Sequence, residues 1–251
     1  MGFRIEAACG CNMGKIRQNN EDNFFFDGKC LEQDNDGLRN IACFDGRLKH
    51  GTCVAVFDGM GGENYGEVAS FTAARTMQQT SRKLEDFFVQ ERKYLEKMTL
   101  SLNKAVVEAE EALHTNRMGT TMVMLYFSSR HVYMCNVGDS RAYRMRDGEF
   151  LQISEDHVEK RIDRKKTPLT QHLGIDPEEM QIEPYIAKGE LKKGDTYLIC
   201  SDGLTDMLTN FEISDILLQG DDATVAVEKL IEAALEHGGR DNITVIVCKI
   251  T

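Results

Sequence analysis

The chain has 251 residues, 41% of them hydrophobic and 28% charged, with three prolines and no tryptophan. That profile is of a globular domain with a sizeable core, and it excludes disordered, collagenous and low-complexity classes. Acidic residues outnumber basic ones 41 to 30, for a net charge of −11. This argues against a nucleic-acid partner, because such proteins present a basic face that releases counterions from phosphate.

The opening Met1-Gly2-Phe3-Arg4-Ile5-Glu6 carries neither a secretory nor a myristoylation pattern. No run approaches the roughly 20 apolar residues of a membrane helix. A cytoplasmic protein without a membrane partner is expected. The first short apolar runs, residues 3–9, 23–26, 41–44 and 53–57, are expected strands. From Glu67 to Met118 neither glycine nor proline occurs. There Leu84, Phe88, Leu95, Met98, Leu102, Ala105, Ala109 and Leu113 recur at three-, four- and seven-residue spacings, the apolar stripe of long amphipathic helices.

After Gly119 the pattern turns to period two, and strands are expected at residues 120–127, 131–137, 142–145, 196–200 and 243–250. Helical stretches at residues 211–218 and 223–237 precede the last of these. All three prolines, Pro168, Pro177 and Pro184, fall in a span of about residues 158–184, which reads as an irregular flap-like segment. The basic cluster Lys160, Arg161, Arg164, Lys165 and Lys166, interrupted by Asp163, reads as a solvated loop face. No internal repeat or linker divides the chain, so one α+β domain over residues 1–251 is expected.

The eight cysteines, Cys9, Cys11, Cys30, Cys43, Cys53, Cys135, Cys200 and Cys248, include no Cys-x-x-Cys pair and no histidine at zinc-ligand spacing. They read as reduced core residues.

The aspartates sit at the ends of apolar runs. Cys53–Phe57 leads into Asp58-Gly59, Val132–Val137 into Gly138-Asp139, and Tyr197–Ser201 into Asp202-Gly203, while Asp241-Asn242 opens the run from Ile243. Each Asp-Gly taken alone reads as a favoured turn, and only the four sites together favour a shared cluster. In antiparallel sheets one strand's end lies beside its neighbour's start, so all four carboxylates meet at one edge. Such a gathering needs a neutralising partner, and a hard divalent cation held by oxygen ligands is the economical one. Upstream, Arg17 precedes Glu21-Asp22 by four residues. An arginine fork suits phosphate oxygens, and the two acids suit metal-bound waters, although a surface ion pair explains the same spacing.

Arg17…Asn20-Glu21-Asp22, Asp58-Gly59-Met60-Gly61-Gly62, Gly119-Thr120-Thr121, Asn136-Val137-Gly138-Asp139-Ser140-Arg141, Asp156-His157, Ser201-Asp202-Gly203 and Asp241-Asn242-Ile243-Thr244 stand in this order along the chain. They resemble the motifs of the metal-dependent protein phosphatases (the PPM family, protein phosphatase 2C type), and Asp-Gly-Met-Gly-Gly is similar to the bacterial form. The resemblance covers nearly the whole chain.

It implies a four-layer α-β-β-α sandwich, two antiparallel β-sheets flanked by helices. By the same resemblance Asp58 bridges two Mg²⁺ or Mn²⁺ ions and the Gly59 carbonyl completes the protein ligands of the first. Asp202 and Asp241 hold the second, and Asp139 with Asp202 binds a third, weaker ion. Arg17 takes the substrate phosphate, and Glu21 and Asp22 stand behind the metals. The implied reaction is hydrolysis of phosphoserine and phosphothreonine in proteins by a metal-bridging hydroxide, in opposition to a Ser/Thr kinase.

Cysteine-based phosphatase chemistry is disfavoured because Cys11 and Cys135, although each stands six positions before an arginine (Arg17 and Arg141), read as reduced core residues. Two other functions remain open at this point: a catalytically silent phosphoprotein-binding regulator, and a hydrolase of small phosphate esters. The chain also departs from many eukaryotic relatives, which carry a histidine proposed to protonate the leaving group where Met60 stands. His157 reads as a structural hydrogen-bonding residue.

Overall fold

The computed structural model describes residues 2–49, 51–61, 65–84, 90–115, 118–159 and 168–251. In chain order its elements are β1 (Arg4–Asn12), β2 (Asp22–Phe25), β3 (Ala42–Arg47), β4 (Thr52–Gly61), α1 (Gly66–Leu84), α2 (Glu91–Ala112), β5 (Met118–Thr120), β6 (Met122–Phe127), β7 (His131–Val137), β8 (Arg141–Arg146), β9 (Glu149–Gln152), β10 (Tyr185–Glu190), β11 (Thr196–Cys200), α3 (Asp202–Thr205), α4 (Asn210–Gln219), α5 (Ala223–Glu236) and β12 (Ile243–Ile250). One sheet runs β3-β1-β12-β11-β8-β9 and the other β10-β7-β6-β4-β2, with β5 paired to β4. Every pair is antiparallel.

Alternation along the strands builds three apolar layers. Even-numbered Val54 and Val56 of β4, odd-numbered Val123, Leu125 and Phe127 of β6, and Ile246, Cys248 and Ile250 of β12 fill the space between the sheets. Their neighbours face outward. Ala55, Phe57, Met122 and Met124 pack against α1 and α2 through Ala73, Met77, Leu95, Met98 and Leu102. Ile243, Val245 and Val247 pack against α4 and α5 through Ile213, Leu217, Val227 and Leu230. Sheets covered on both faces by apolar side chains give the continuous apolar runs of the sequence, and the result is the expected four-layer sandwich. Helix α4 opens on a capping box formed by Thr209 and Glu212, and α5 on Asp222, whose side chain accepts from the Val225 amide.

Several expectations need correction. The buried stripe of α2 is Tyr94, Leu95, Met98, Thr99, Leu102, Asn103 and Val106. It advances by four residues from Leu102 to Val106, which leaves Ala105 and Ala109 half-buried and Leu113 41% exposed. The side chain of Leu84 and all of Phe88 lie outside the described residues, as do Gly62 and the basic cluster from Lys160 to Lys166 with Asp163.

Residues 120–127 do not form one strand. The chain breaks at Thr121, with β5 pairing Gly59–Gly61 of β4 and β6 pairing its first half. Nor does β4 end at Phe57, because its change of partner carries it through Asp58 to Gly61, and no turn forms at Asp58-Gly59. β9 and β10 are additional strands. Both are edges with half-exposed faces, and each carries only two or three apolar residues in succession. Cys43 is exposed and Cys30 half-buried, while the other six cysteines are buried as expected. Within the flap-like span, Val158 bridges Leu169 and Leu173 bridges Thr120. Among the described residues no helix is long and apolar enough to cross a membrane.

Candidate active site

The layer between the sheets changes from apolar to polar at one end, and the strand period explains how. On β4, Asp58 shares the face of Val54 and Val56, and its register partner on β2 is Asp22, which shares the face of Phe24. From the opposite sheet, Ser201 continues the face of Tyr197 and Ile199, Thr244 that of Ile246, and Cys11 that of Cys9. Two residues past the end of β11 stands Asp202, and two before the start of β12 stands Asp241. The carboxylates therefore come from both sheets.

Asp58, Asp202 and Asp241 line one cleft of ≈ 1070 Å³, together with Arg17, Glu21, Gly59, Met60, Thr121, Asp139, Arg141, Asp156 and His172. Burial pushes the Asp58 carboxyl well above the usual range, and the charges of Asp202, Asp22, Asp139 and Asp241 push it further. So the sequence-predicted acids Asp58, Asp139, Asp202 and Asp241 are within electrostatic reach of one another.

Asp22 lies beneath the cleft and does not line it. Its Oδ2 accepts hydrogen bonds from the Ser201 and Thr244 hydroxyls, both at 2.7 Å, and so ties one sheet to the other. Burial raises its carboxyl, the two hydroxyls pull it back, and Asp202 and Asp241 add to the rise, leaving it at about 7. Glu21 is also raised by burial, against the pull of Arg17 and with a further push from Glu67.

Arg17 reaches in from the loop before β2. Its Nη2 donates to Asp241 Oδ2 at 2.6 Å, and its Nη1 lies 3.6 Å from Glu21 Oε2. Burial works against the guanidinium charge, but the hydrogen bond and charge of Asp241, then Glu21 and Asp58, outweigh it.

The backbone is arranged for close approach. Gly59 donates its amide to the Glu21 carbonyl at 3.0 Å, and a Cβ there would overlap the Gly66 carbonyl. Gly14 adopts φ +84° with its Cα against the Asp241 carbonyl, so the Arg17 loop packs directly on the segment before β12. Asn242 fixes this junction. Its Oδ1 accepts from the Glu21 amide at 2.8 Å, and its Nδ2 donates to the Met13 and Asn19 carbonyls at 2.9 and 3.0 Å.

Thr121, at the break between β5 and β6, donates its amide to the Asp58 carbonyl at 2.8 Å and accepts the Asp58 amide on its hydroxyl at 3.1 Å. Asp139 is presented by Gly138, which sits against Thr121 at φ +102° and exchanges backbone contacts with His157. The His157 Nδ1 accepts the Gly138 amide at 3.1 Å, and burial lowers the ring's affinity for a proton. It is a structural acceptor, as its sequence context indicated.

The donor set tests well against a hard divalent cation: carboxylates from both sheets and a carbonyl brought close by a glycine, all oxygen. Among the described residues no three Asp, Glu, His or Cys side chains already converge on a single point at ligand distance. Like charges stand apart, and Asp241 and Asp22 lean instead on Arg17, Ser201 and Thr244. Two residues with a place here were not singled out in the sequence. Arg141 holds Asp156 with bonds of 2.7–3.1 Å at the cleft wall, inside a motif whose spacing was noticed without assigning its arginine. His172 had no local signal, because its neighbours in the site are distant in sequence.

The family described as Protein phosphatase 2C matches residues 39–236. A serine/threonine phosphatase, Stp, of Listeria welshimeri is 31% identical, with 93% of this chain and 91% of that protein covered. The crystal structure of the Mycobacterium tuberculosis serine/threonine phosphatase PstP is 28% identical over 98% of both chains, with a TM-score of 0.78. A structure of the PstP catalytic domain in complex with two manganese ions matches at the same identity and TM-score over 99% of each chain.

Proposed function

The chain belongs to the protein phosphatase 2C family of protein-serine/threonine phosphatases, and on that premise we propose which residues perform the hydrolysis and how. Its substrates are phosphoproteins, and a Ser/Thr kinase is the natural opposing activity. The observation that carries the reading is the half-buried Asp58 carboxyl on the cleft wall, crowded by acids from both sheets, beside an arginine at the cleft mouth.

Asp58, the Gly59 carbonyl, Asp202 and Asp241 would hold two divalent cations, and Asp139 with Asp202 would hold a weaker third. That the PstP catalytic domain, alike in fold, is in complex with two manganese ions supports a two-cation site. When bound, such cations supply a water made nucleophilic at neutral pH and counter-charge for the phosphoryl oxygens, as magnesium or manganese.

The chain's own residues do the rest. Arg17, 38% exposed at the mouth, offers its fork to the phosphate and sets the ester's orientation for in-line attack. Asp22 fixes Ser201 and Thr244, and through them the backbone that carries Asp202. Glu21 sets the Gly59 backbone through its carbonyl. Met60 lines the cleft and has no proton to give. No side-chain nucleophile is required.

The test is phosphate release from a phosphothreonine peptide by purified protein in EDTA and then in excess Mn²⁺, alongside Asp58→Asn. Release that needs the metal and fails in the variant is expected. Wild-type rates from Asp58→Asn would remove the assignment, and a preference for nucleotides or sugar phosphates over phosphopeptides would change the substrate class.

A further inference from the structure

A serine or threonine alkoxide is a poor leaving group, and its departure is assisted by a proton delivered as the P–O bond breaks. Five of the cleft acids are already committed. Asp58, Asp139, Asp202 and Asp241 form the cation-binding set, and Asp156 is engaged by Arg141 and Gln152. His157 spends Nδ1 on the Gly138 amide.

His172 is different. It lines the cleft with Asp58 and Met60. Met60 lies two residues beyond Asp58 on β4, so the two side chains share a face, and Met60 is the register partner of Gly119 on β5. A Cβ on Gly119 would meet His172 Nδ1 at 2.6 Å. The imidazole therefore occupies the volume that any other residue at position 119 would fill, on the same sheet face as Asp58.

This position is built rather than incidental. Leu173 and Thr120 exchange both backbone hydrogen bonds, at 2.8 and 3.0 Å, which fastens the next residue after the histidine to β5. From the other side, the buried Asn103 of α2 accepts the Gly174 and Ile175 amides at 2.8 and 3.1 Å and donates to the Ile175 carbonyl at 2.8 Å. Gly174 turns the chain at φ +105° between them. His172 Nδ1 lies 3.0 Å from the Leu173 carbonyl oxygen. With Nδ1–H donating there, the Nε2–H of the protonated ring, the imidazolium, is the group left for a substrate. Catalytic geometry held by packed elements and hydrogen bonds is the arrangement that proton transfer requires.

We propose that His172 is the general acid that protonates the departing serine or threonine oxygen. The proposal rests on the phosphatase reading above. As the oxygen of the attacking water forms its bond to phosphorus, the bond to the substrate oxygen breaks and that oxygen keeps the electron pair. It takes the proton from His172 Nε2, leaving alcohol and neutral imidazole. The attacking water gives up one proton to solvent, and the imidazole regains one, so the cycle closes on alcohol and inorganic phosphate.

The test uses the full chain with Mn²⁺, wild type and His172→Gln, on a phosphothreonine peptide and on a series of substituted phenyl phosphates of graded leaving-group basicity. A departing group that needs no proton is insensitive to loss of the acid. The expected result is a fall of about 100-fold in kcat on the peptide. The loss on p-nitrophenyl phosphate is far smaller, and the dependence of rate on leaving-group basicity is steeper across the aryl series. Because substrates are compared on one variant, partial misfolding scales all rates alike and does not imitate this. An unchanged slope, or a change confined to KM, would overturn the proposal. A wild type inactive on every substrate with metal would remove the phosphatase reading and the proposal with it.

Discussion

The guanidinium of Arg17 and the carboxylate of Asp241 are joined at 2.6 Å although 224 positions separate them in the chain. One is the group assigned to the substrate phosphate and the other a ligand assigned to a cation. On that proposed assignment the pair is a mutual counter-ion, and cation and phosphate would enter by exchange with partners already in place.

Arg17→Ala is therefore expected to affect the two ligands in opposite directions. Removing the guanidinium releases Asp241 Oδ2 from this ion pair and takes a positive charge from beside the proposed cations. Divalent affinity rises on the order of fivefold, about 1 kcal/mol once the exposure of Arg17 is allowed for. At the same time kcat/KM on a phosphopeptide falls by roughly 10- to 100-fold, the loss of a charge-assisted fork. Titration calorimetry with Mn²⁺ and steady-state kinetics measure the two effects separately. Weaker metal binding in the variant would contradict the exchange.

Asp58→Asn tests the crowded carboxylate on stability as well as rate. Activity is expected to fall by at least about 10²–10³-fold. The burial and like charge that raise the Asp58 carboxyl make its ionised form costly in the metal-free fold. In chelator at neutral pH the variant therefore melts above the wild type. Excess Mn²⁺ raises the wild-type Tm, with about 2.7 kcal/mol of linkage at a hundredfold over Kd, and leaves the variant's Tm nearly unmoved. Equal shifts in both proteins would place the cation elsewhere.

The Asp22 carboxyl gives a pH signature. It titrates near about 7 in the fold against 3.8 ordinarily. Between those values the folded chain holds a proton that the unfolded chain has lost, so in chelator stability falls as pH rises from about 4 to about 7. Asp22→Asn lacks this proton exchange. Its urea midpoint is expected to decline less than that of the wild type from about pH 5 to about pH 8. Parallel declines would show that Asp22 titrates like an exposed carboxylate.

Asn242→Ala removes three hydrogen bonds to the backbone at Glu21, Met13 and Asn19. The half-buried groups left unpaired cost about 1–2 kcal/mol, measurable by urea denaturation. The Arg17 loop loses its anchor as well, so KM for phosphopeptide rises. A loss below about 0.5 kcal/mol would mean that water replaces the amide without consequence.

Much of this architecture is legible in the sequence because it is local and periodic. Val54, Val56 and Asp58 share one parity, and the same alternation that marks a strand places the acid at the end of the inner layer. The motif residues Gly59, Asp139, Asp202 and Asp241 follow the same logic. What escaped was set by pairing between distant segments. The break at Thr121 exists because β4 exchanges β6 for β5, and nothing in Gly119-Thr120-Thr121-Met122 marks it as an interruption. Strands β9 and β10 lie at sheet edges, where half the side chains meet solvent and no apolar run is needed. Val106 displaced Ala105 from the α2 core by one position, a choice made by the sheet beneath. Asp22 looked like a companion of Glu21, but β2 pairs it with Asp58 and turns it toward Ser201 and Thr244. His172 became visible only through Gly119, 53 positions earlier by the numbering.

The eight thiols give the molecule an internal clock. Cys9, Cys11, Cys53, Cys135, Cys200 and Cys248 are buried across the two sheets, and burial pushes every one of them toward the unreactive protonated form. Only Cys43, exposed on the edge strand β3, and the half-buried Cys30 meet solvent in the native state. An alkylating reagent thus reads Cys43 at once and the rest only when a strand pair opens. Mass-resolved labelling over time would rank the opening of each sheet and report how far a cation at the acidic end slows it, without introducing any probe.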